Sequence, residues 1–180
     1  MAHSTSLSPC FRPAITLPNH FPITPKGVRR FGLFQTLALC PASKSCISTA
    51  EEANDPAHYV PPWDYNAGRK LLGAADRSQA MAELKAAVEG TRPDGWTATV
   101  VKQTEQYLYA EYTSPFLGLV DDVEFWIPPG EAGGAASRVE YRSSSRPFWG
   151  VVRAADDAGR RRIKALREAL QAKGWRSVGF

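Results

Sequence analysis

An acid-rich run holds the residues most suited to chemistry, because Asp121, Asp122 and Glu124 fall within four positions. Neighbouring carboxylates can act as general acid and general base, and their oxygens can ligate a hard cation. In an extended strand, however, Asp122 and Glu124 share one face while Asp121 points to the other. A divalent site would need further oxygen ligands that the sequence does not single out. We therefore predict no catalytic residue and no metal site here.

A second strand-like run follows a Pro-Pro-Gly loop and carries Arg138 and Arg142 on one face. If the two runs pair, these arginines lie across from Asp122 and Glu124 and form opposite-charge pairs between strands. Removing one partner of a buried pair costs about 3–5 kcal/mol, so such pairs can fix the register of strands. We favour this structural charge ladder over catalysis.

Cations and hydroxyls also flank the start of the last predicted helix. Backbone N–H groups at a helix N-terminus favour anions, and the arginine guanidinium matches phosphate and carboxylate oxygens. The alternative prediction is thus a site for a small anionic ligand, either in an enzyme or in a ligand-binding domain. Its candidate residues are Arg142, Ser143, Ser145, Arg146, Arg160 and Arg161.

The sequence gives little support for nucleophilic catalysis or for nucleotide binding. No serine lies in a G-x-S-x-G motif, and no lysine completes a phosphate-binding loop around Gly130. His58 is the only histidine after residue 50, and the thiol–imidazole pair that we consider is Cys46 with His58. We predict no cofactor and leave open whether the protein is an enzyme.

Two cysteines, Cys40 and Cys46, are close enough in sequence to close a small loop. In an oxidising compartment they would form a disulfide, whereas in a reducing one they would be thiols buried as small apolar side chains. The sequence leaves both the disulfide and the thiols open, since the redox state of the compartment determines which form is present.

The positive net charge of +4 comes from the N-terminal tail. Residues 1–50 hold five of the 22 Lys and Arg and none of the 18 Asp and Glu. Residues 51–180 therefore hold 17 basic residues and 18 acidic residues. The remainder is near neutral, so we predict no nucleic-acid partner. No apolar run approaches the roughly 18 residues of a membrane helix, although peripheral association with the thylakoid remains open.

The same tail is rich in hydroxyl residues and prolines. An acid-free, Ser- and Thr-rich start is typical of an organelle transit peptide, and we predict a disordered chloroplast transit peptide over residues 1–38. A disordered tail without a targeting role is the alternative. Arg29-Arg30 before a short apolar run keeps the thylakoid lumen open beside the stroma.

Periodicity predicts the remaining elements. Helices are expected over 76–89 and 156–173, and alternating strands over 96–103, 106–113, 120–127 and 137–143. Residues 39–75, with their Pro-Pro pair, form an extended arm and linker that joins the domain of residues 76–180. The predicted fold class is α+β: an antiparallel sheet of about four strands with two helices packed on one face and an extended N-terminal arm. The basic run Arg160-Arg161-Arg162 is interpreted as a solvated helix face.

Several short segments also share a pattern with a known family. They are Cys46–Ser48 with His58–Pro62, Gly118–Phe125, Arg142–Arg146 and Arg160–Ile163. On these segments the chain from about Cys40 onward resembles the domain of unknown function 1499 family, as a plant plastid member. The bulky link Pro147–Val152 departs from the glycine- and aspartate-containing link usual there. The resemblance implies a fold and a plastid setting but no established activity. The leading prediction is therefore a non-catalytic binding or assembly module for a plastid partner.

Overall fold

The computed structural model describes residues 26–31, 34–41, 45–130, 137–147 and 157–178. Most of the predicted transit peptide, residues 1–25, lies outside these ranges, as does residue 156 at the predicted start of the last helix. The division into transit peptide, arm and domain stays a prediction.

Strands dominate the described residues. The elements in chain order are β1 (Arg29–Phe31), β2 (Phe34–Thr36), β3 (Cys46–Ser48), β4 (Trp63–Asp64), α1 (Arg77–Gly90), β5 (Thr97–Gln103), β6 (Tyr107–Thr113), β7 (Val120–Trp126), β8 (Arg138–Ser145), α2 (Ala158–Gln171) and β9 (Arg176–Ser177). Strands β1 and β2 form an antiparallel hairpin. The other seven strands form one antiparallel sheet in the order β5-β6-β7-β8-β4-β9, with β3 also paired to β8.

The predicted fold class is wrong, because the protein is mostly sheet. A seven-stranded sheet and a separate two-stranded one replace the expected α+β arrangement of about four strands with two helices on one face. The additional strands β3, β4 and β9 have only two or three residues each. Runs that short cannot show period-two alternation, so no pattern in the sequence separates them from an extended arm.

One face of the sheet, which we call the inner face, carries the main hydrophobic core. Leu108, Val123 and Val139 are fully buried there, in one cluster with Leu84 of α1 and Leu166 of α2. Aromatic side chains from the short strands and the C-terminus complete it, and they are Trp63, Tyr65 and Trp175. The core therefore joins distant parts of the chain to the four long strands.

The opposite face, the outer face, is also buried along β7 and β8. Residues 26–31 and 34–40 lie across it, and Leu37 is fully buried against Tyr107, Tyr109 and Trp126. Charged side chains on β7 and β8 are thereby removed from water. The candidate site lies on this covered face.

Candidate functional site

A connected group of polar side chains lies on the outer face where β6, β7 and β8 run side by side. Pairing sets Glu111 opposite Asp122 and Tyr109 opposite Glu124, and it sets Glu124 opposite Arg142. We call the group the outer-face cluster; its members are Tyr107, Tyr109, Glu111, Asp122, Glu124, Arg142 and Arg146.

Glu124 forms the deeper half of the cluster and is 0% exposed. Its Oε2 accepts from Arg142 Nη1 at 3.1 Å, and its Oε1 accepts from the Tyr107 hydroxyl at 2.6 Å. The backbone N–H of Gly27 donates to the same Oε1 at 2.6 Å. Arg142 is equally buried, yet its Nε and Nη2 have no hydrogen-bond partner among the described residues.

Asp122 forms the second half and is 5% exposed. Arg146 donates to it from Nη2 at 2.7 Å and from Nε at 3.1 Å, and Lys26 Nζ lies 2.9 Å from its Oδ1. The Tyr109 hydroxyl lies 2.7 Å from Asp122 Oδ1 and 2.6 Å from Glu111 Oε1. Its single proton is therefore shared as a hydrogen-bond donor between two carboxylates. Arg146 also contacts Glu111 directly.

These contacts favour one protonation state for two of the carboxyl groups and for the two phenols of the cluster. Burial would raise the pKa of Asp122, but hydrogen bonds from Arg146, Lys26 and Tyr109 outweigh it, and the pKa lies below its ordinary value. The Tyr109 hydrogen bond likewise lowers the pKa of Glu111. Burial, followed by the neighbouring carboxylates, raises the pKa values of Tyr107 and Tyr109. Asp122 and Glu111 therefore stay ionised, and Tyr107 and Tyr109 stay protonated, around neutral pH.

A second buried charge group lies on the inner face. It corrects the interpretation of Arg160-Arg161-Arg162 as a solvated helix face, because Arg162 is buried while the other two are exposed. Arg162 of α2 is 2% exposed and donates to Asp121 Oδ2 at 2.7 Å and to Ser143 Oγ at 3.0 Å. Its guanidinium carbon lies 4.7 Å and 5.1 Å from the ring centroids of Tyr112 and Trp96. The available signal was spacing, because Arg162 precedes Leu166 by four residues and so shares the apolar stripe of α2.

The predicted charge ladder is present only in part. Glu124 and Arg142 face each other as expected, but the register sets Asp122 opposite Ser144 rather than an arginine. Asp122 is held instead by Arg146, which follows the end of β8. Arg138 lies beyond the end of β7 in this register and contacts Glu140 on its own strand.

The six residues predicted to bind an anion do not share one surface. Arg142 and Arg146 belong to the outer-face cluster, whereas Ser143 faces α2 and accepts from Arg162. The remaining arginines have separate contacts: Arg160 donates to the Ala57 carbonyl at 2.6 Å, and Arg161 donates to Asp94 at 2.8 Å. Ser145 pairs with Asp121 across β7 and β8.

Comparison with protein-family models shows which part of the chain forms a family domain. The family model described as Protein of unknown function (DUF1499) matches residues 36–170. The chain belongs to this family. Comparison with curated proteins and with solved structures found no match. The predicted family is confirmed, and the plastid origin of this DUF1499 member stays a prediction.

Every residue of the outer-face cluster lies inside the DUF1499 match, whereas Lys26 and Gly27 precede it. The cluster is thus part of the family domain. The segment that fills it here comes from outside that domain.

The remaining candidate residues of this DUF1499 protein lie apart from the cluster. Cys40 and Cys46 form a disulfide with Cα atoms 5.6 Å apart, so Cys46 has no thiol to pair with His58. His58 Nδ1 lies 2.9 Å from Asp55 Oδ2. Within the described ranges, no group of three His, Cys, Asp or Glu residues is arranged to hold a metal ion. None of the described helices has the length and apolar character needed to cross a bilayer.

Proposed function

We propose that this protein is a non-catalytic binding or assembly module of the chloroplast and that the outer-face cluster is its binding site. One observation carries the proposal. The carboxylates of the cluster are each held by a cation or a tyrosine hydroxyl, at distances of 2.6–3.1 Å for Asp122 and Glu124. Such an arrangement presents a constant pattern of charge and hydrogen bonds.

Proton-transfer catalysis fits this cluster poorly. A general acid or base works best when its pKa lies near the operating pH. The pKa of Asp122 and of Glu111 is lowered, and that of Tyr109 is raised, so each moves away from neutrality. The groups suit recognition better than acid–base chemistry.

Arg142 offers a further reason to favour binding. Buried polar groups are nearly always hydrogen-bonded, and leaving a donor without an acceptor is costly. Arg142 is fully buried, yet only its Nη1 has a partner among the described residues. A ligand with an oxygen acceptor would satisfy the other donors. The alternative, an enzyme or receptor for a small anion, lacks support because its six candidate residues lie on separate surfaces.

The chloroplast setting rests on the acid-free N-terminal tail. Within the chloroplast, the Cys40–Cys46 disulfide supports the oxidising thylakoid lumen over the reducing stroma. Peripheral association with the thylakoid is part of the proposal. Phe116 and Leu117, exposed at the turn between β6 and β7, support it.

Import into isolated chloroplasts tests this function with the protein that the organelle itself produces. A tagged full-length chain is imported and recovered, and the co-purifying proteins are quantified for the wild type and for Asp122→Asn. We expect import, shortening of the chain, and a set of proteins that the substitution depletes. Asp94→Asn is the matched control, because Asp94 carries an exposed ion pair with Arg161 away from the cluster.

Protease resistance of each imported variant reports whether it is folded. If Asp122→Asn does not fold, Tyr109→Phe replaces it, since this change removes a hydroxyl of the cluster and keeps the ring. A chain that is not imported would contradict the proposal. So would a folded cluster variant that recovers the same proteins as the wild type.

A further inference from the structure

We propose that the outer-face cluster binds a lysine side chain on an extended segment of a partner polypeptide. In the full chain, Lys26 and Gly27 occupy this site themselves, and removal of the targeting segment would uncover it. The inference rests on the proposed binding function and names its ligand.

The ammonium group of Lys26 lies in a cage of acids and an aromatic ring. Its Nζ is 2.9 Å from Asp122 Oδ1 and 3.9 Å from Glu111 Oε1, and it also contacts the Tyr109 hydroxyl. The same atom lies 4.3 Å from the centroid of the Tyr109 ring. Carboxylates together with an aromatic face are the features that bind an ammonium cation.

The next residue shows that the site also recognises a peptide backbone. The N–H of Gly27 donates to Glu124 Oε1 at 2.6 Å, on the carboxylate that Arg142 holds through its Nη1. A free amine could reach Asp122 but would supply no such amide. The pair of contacts therefore favours a lysine within a polypeptide over a small amine.

Charge counting leads to the same ligand. Among the described residues, the cluster has three carboxylates, Glu111, Asp122 and Glu124, which contact two guanidinium groups, Arg142 and Arg146. Three negative charges minus two positive charges leave one negative charge in a largely buried site. Lys26 neutralises it in the full chain. Without Lys26, the cluster keeps one unbalanced negative charge, which favours a cationic ligand.

The segment that carries Lys26 is separable from the domain. It precedes the family match at residue 36 and lies within the predicted transit peptide. Its hairpin leaves a groove along the sheet, lined in part by Arg29, Gln35 and Trp126. Removal of residues through 38 would take away Lys26 and Leu37 together, and would expose the aromatic side chains that Leu37 now covers.

Equilibrium binding to a short peptide tests the inference on the full-length chain. The probe is N-acetyl-lysyl-glycine amide, which reproduces the ammonium group and the following amide of Lys26-Gly27. NMR shifts of the tyrosine rings report binding to the wild type and to Lys26→Ala. A tethered competitor acts at an effective concentration in the mM range, so we expect Lys26→Ala to bind at least about tenfold more tightly than the wild type.

Three controls define the result. Lys102→Ala should bind like the wild type, because Lys102 lies 5.8 Å from the Tyr107 ring centroid but contacts no carboxylate of the cluster. Asp122→Asn in the Lys26→Ala background should abolish binding, with Tyr109→Phe as the substitute if that variant does not fold. A peptide acetylated on its ammonium group should not bind.

Equal affinity of wild type and Lys26→Ala, or binding by neither, would overturn the inference. Equally tight binding of n-butylammonium would also overturn it, because the ligand would then be a free amine. The chloroplast experiment is independent of this one. Proteins depleted by Asp122→Asn there, without lysyl-peptide binding here, would retain the binding function and reject lysine as its ligand.

Discussion

Replacing Arg162 by methionine should destabilise the protein strongly although the residue lies in a basic run on a helix. Arg162 is 2% exposed and Asp121 is 0% exposed, so the substitution leaves a buried carboxylate without its guanidinium partner. Breaking a buried pair in this way costs about 3–5 kcal/mol. Methionine retains an unbranched apolar chain of similar length, so loss of packing adds little.

Urea denaturation followed by circular dichroism measures the effect as a change in the free energy of unfolding. Arg161→Met is the matched control, because it removes the neighbouring arginine, which is exposed and paired with Asp94. Exposed ion pairs contribute about 1 kcal/mol or less, so this variant should unfold almost like the wild type.

The double variant Asp121→Asn with Arg162→Met distinguishes a buried pair from a merely buried side chain. Removing the carboxylate charge should recover part of the loss, since the buried site then no longer holds a charge from which the Arg162 guanidinium has been removed. Equal destabilisation by Arg162→Met and Arg161→Met would refute this reasoning. A double variant less stable than the sum of the single changes would refute it as well.

Three further predictions, one of them with a matched control, test the fold and the cluster. Gly174→Ala should lower the free energy of unfolding, measured in urea, by about 2–4 kcal/mol, because φ is +89° and the new Cβ would lie 2.5 Å from Arg69 Cγ. Its control, Gly73→Ala, has a positive φ but open space around the new Cβ and should lower it by only about 1–2 kcal/mol. Cys46→Ser should lower the free energy of unfolding by about 2 kcal/mol, as expected for a loop with a sequence separation of 6, and an unchanged value would show that the disulfide adds nothing. Folding lowers the pKa of Asp122, so the contribution of this carboxylate to the free energy of unfolding is complete above about pH 5 and is lost as the pH falls through the folded pKa. Asp122→Asn should therefore reduce the loss of stability with falling pH, measured as the free energy of unfolding at several acidic pH values.

The longer elements were predictable because their residues repeat with a clear period. Helix α1 starts where Asp76 accepts from the Gln79 N–H at 2.7 Å, at the first residue of its predicted range. Strands β5 to β8 lie within one or two residues of their predicted ranges. The period failed for β3, β4 and β9, whose few residues are placed by pairing: β3 and β4 pair with the remaining edge of β8, and β9 pairs with β4.

The candidate site was predictable in its residue types but not in its partners. Alternation correctly set Asp122 and Glu124 apart from Asp121, yet the strand register decides which arginine each one meets. Arg146 reaches Asp122 from beyond the end of β8, and Lys26 reaches it from a segment almost a hundred residues earlier. Contacts of that kind depend on tertiary structure, which local pattern does not encode.

The central claim is that Asp122 and Glu111 keep a constant charge and that the outer-face cluster therefore binds rather than catalyses. Carbon-13 NMR titration of the Asp122 and Glu111 side-chain carboxyls measures it directly on the full-length protein. The lowered pKa values predict that neither carboxyl signal titrates between pH 9 and about pH 6. A carboxyl that titrates between about pH 6 and 8 would be suited to proton transfer and would contradict the account.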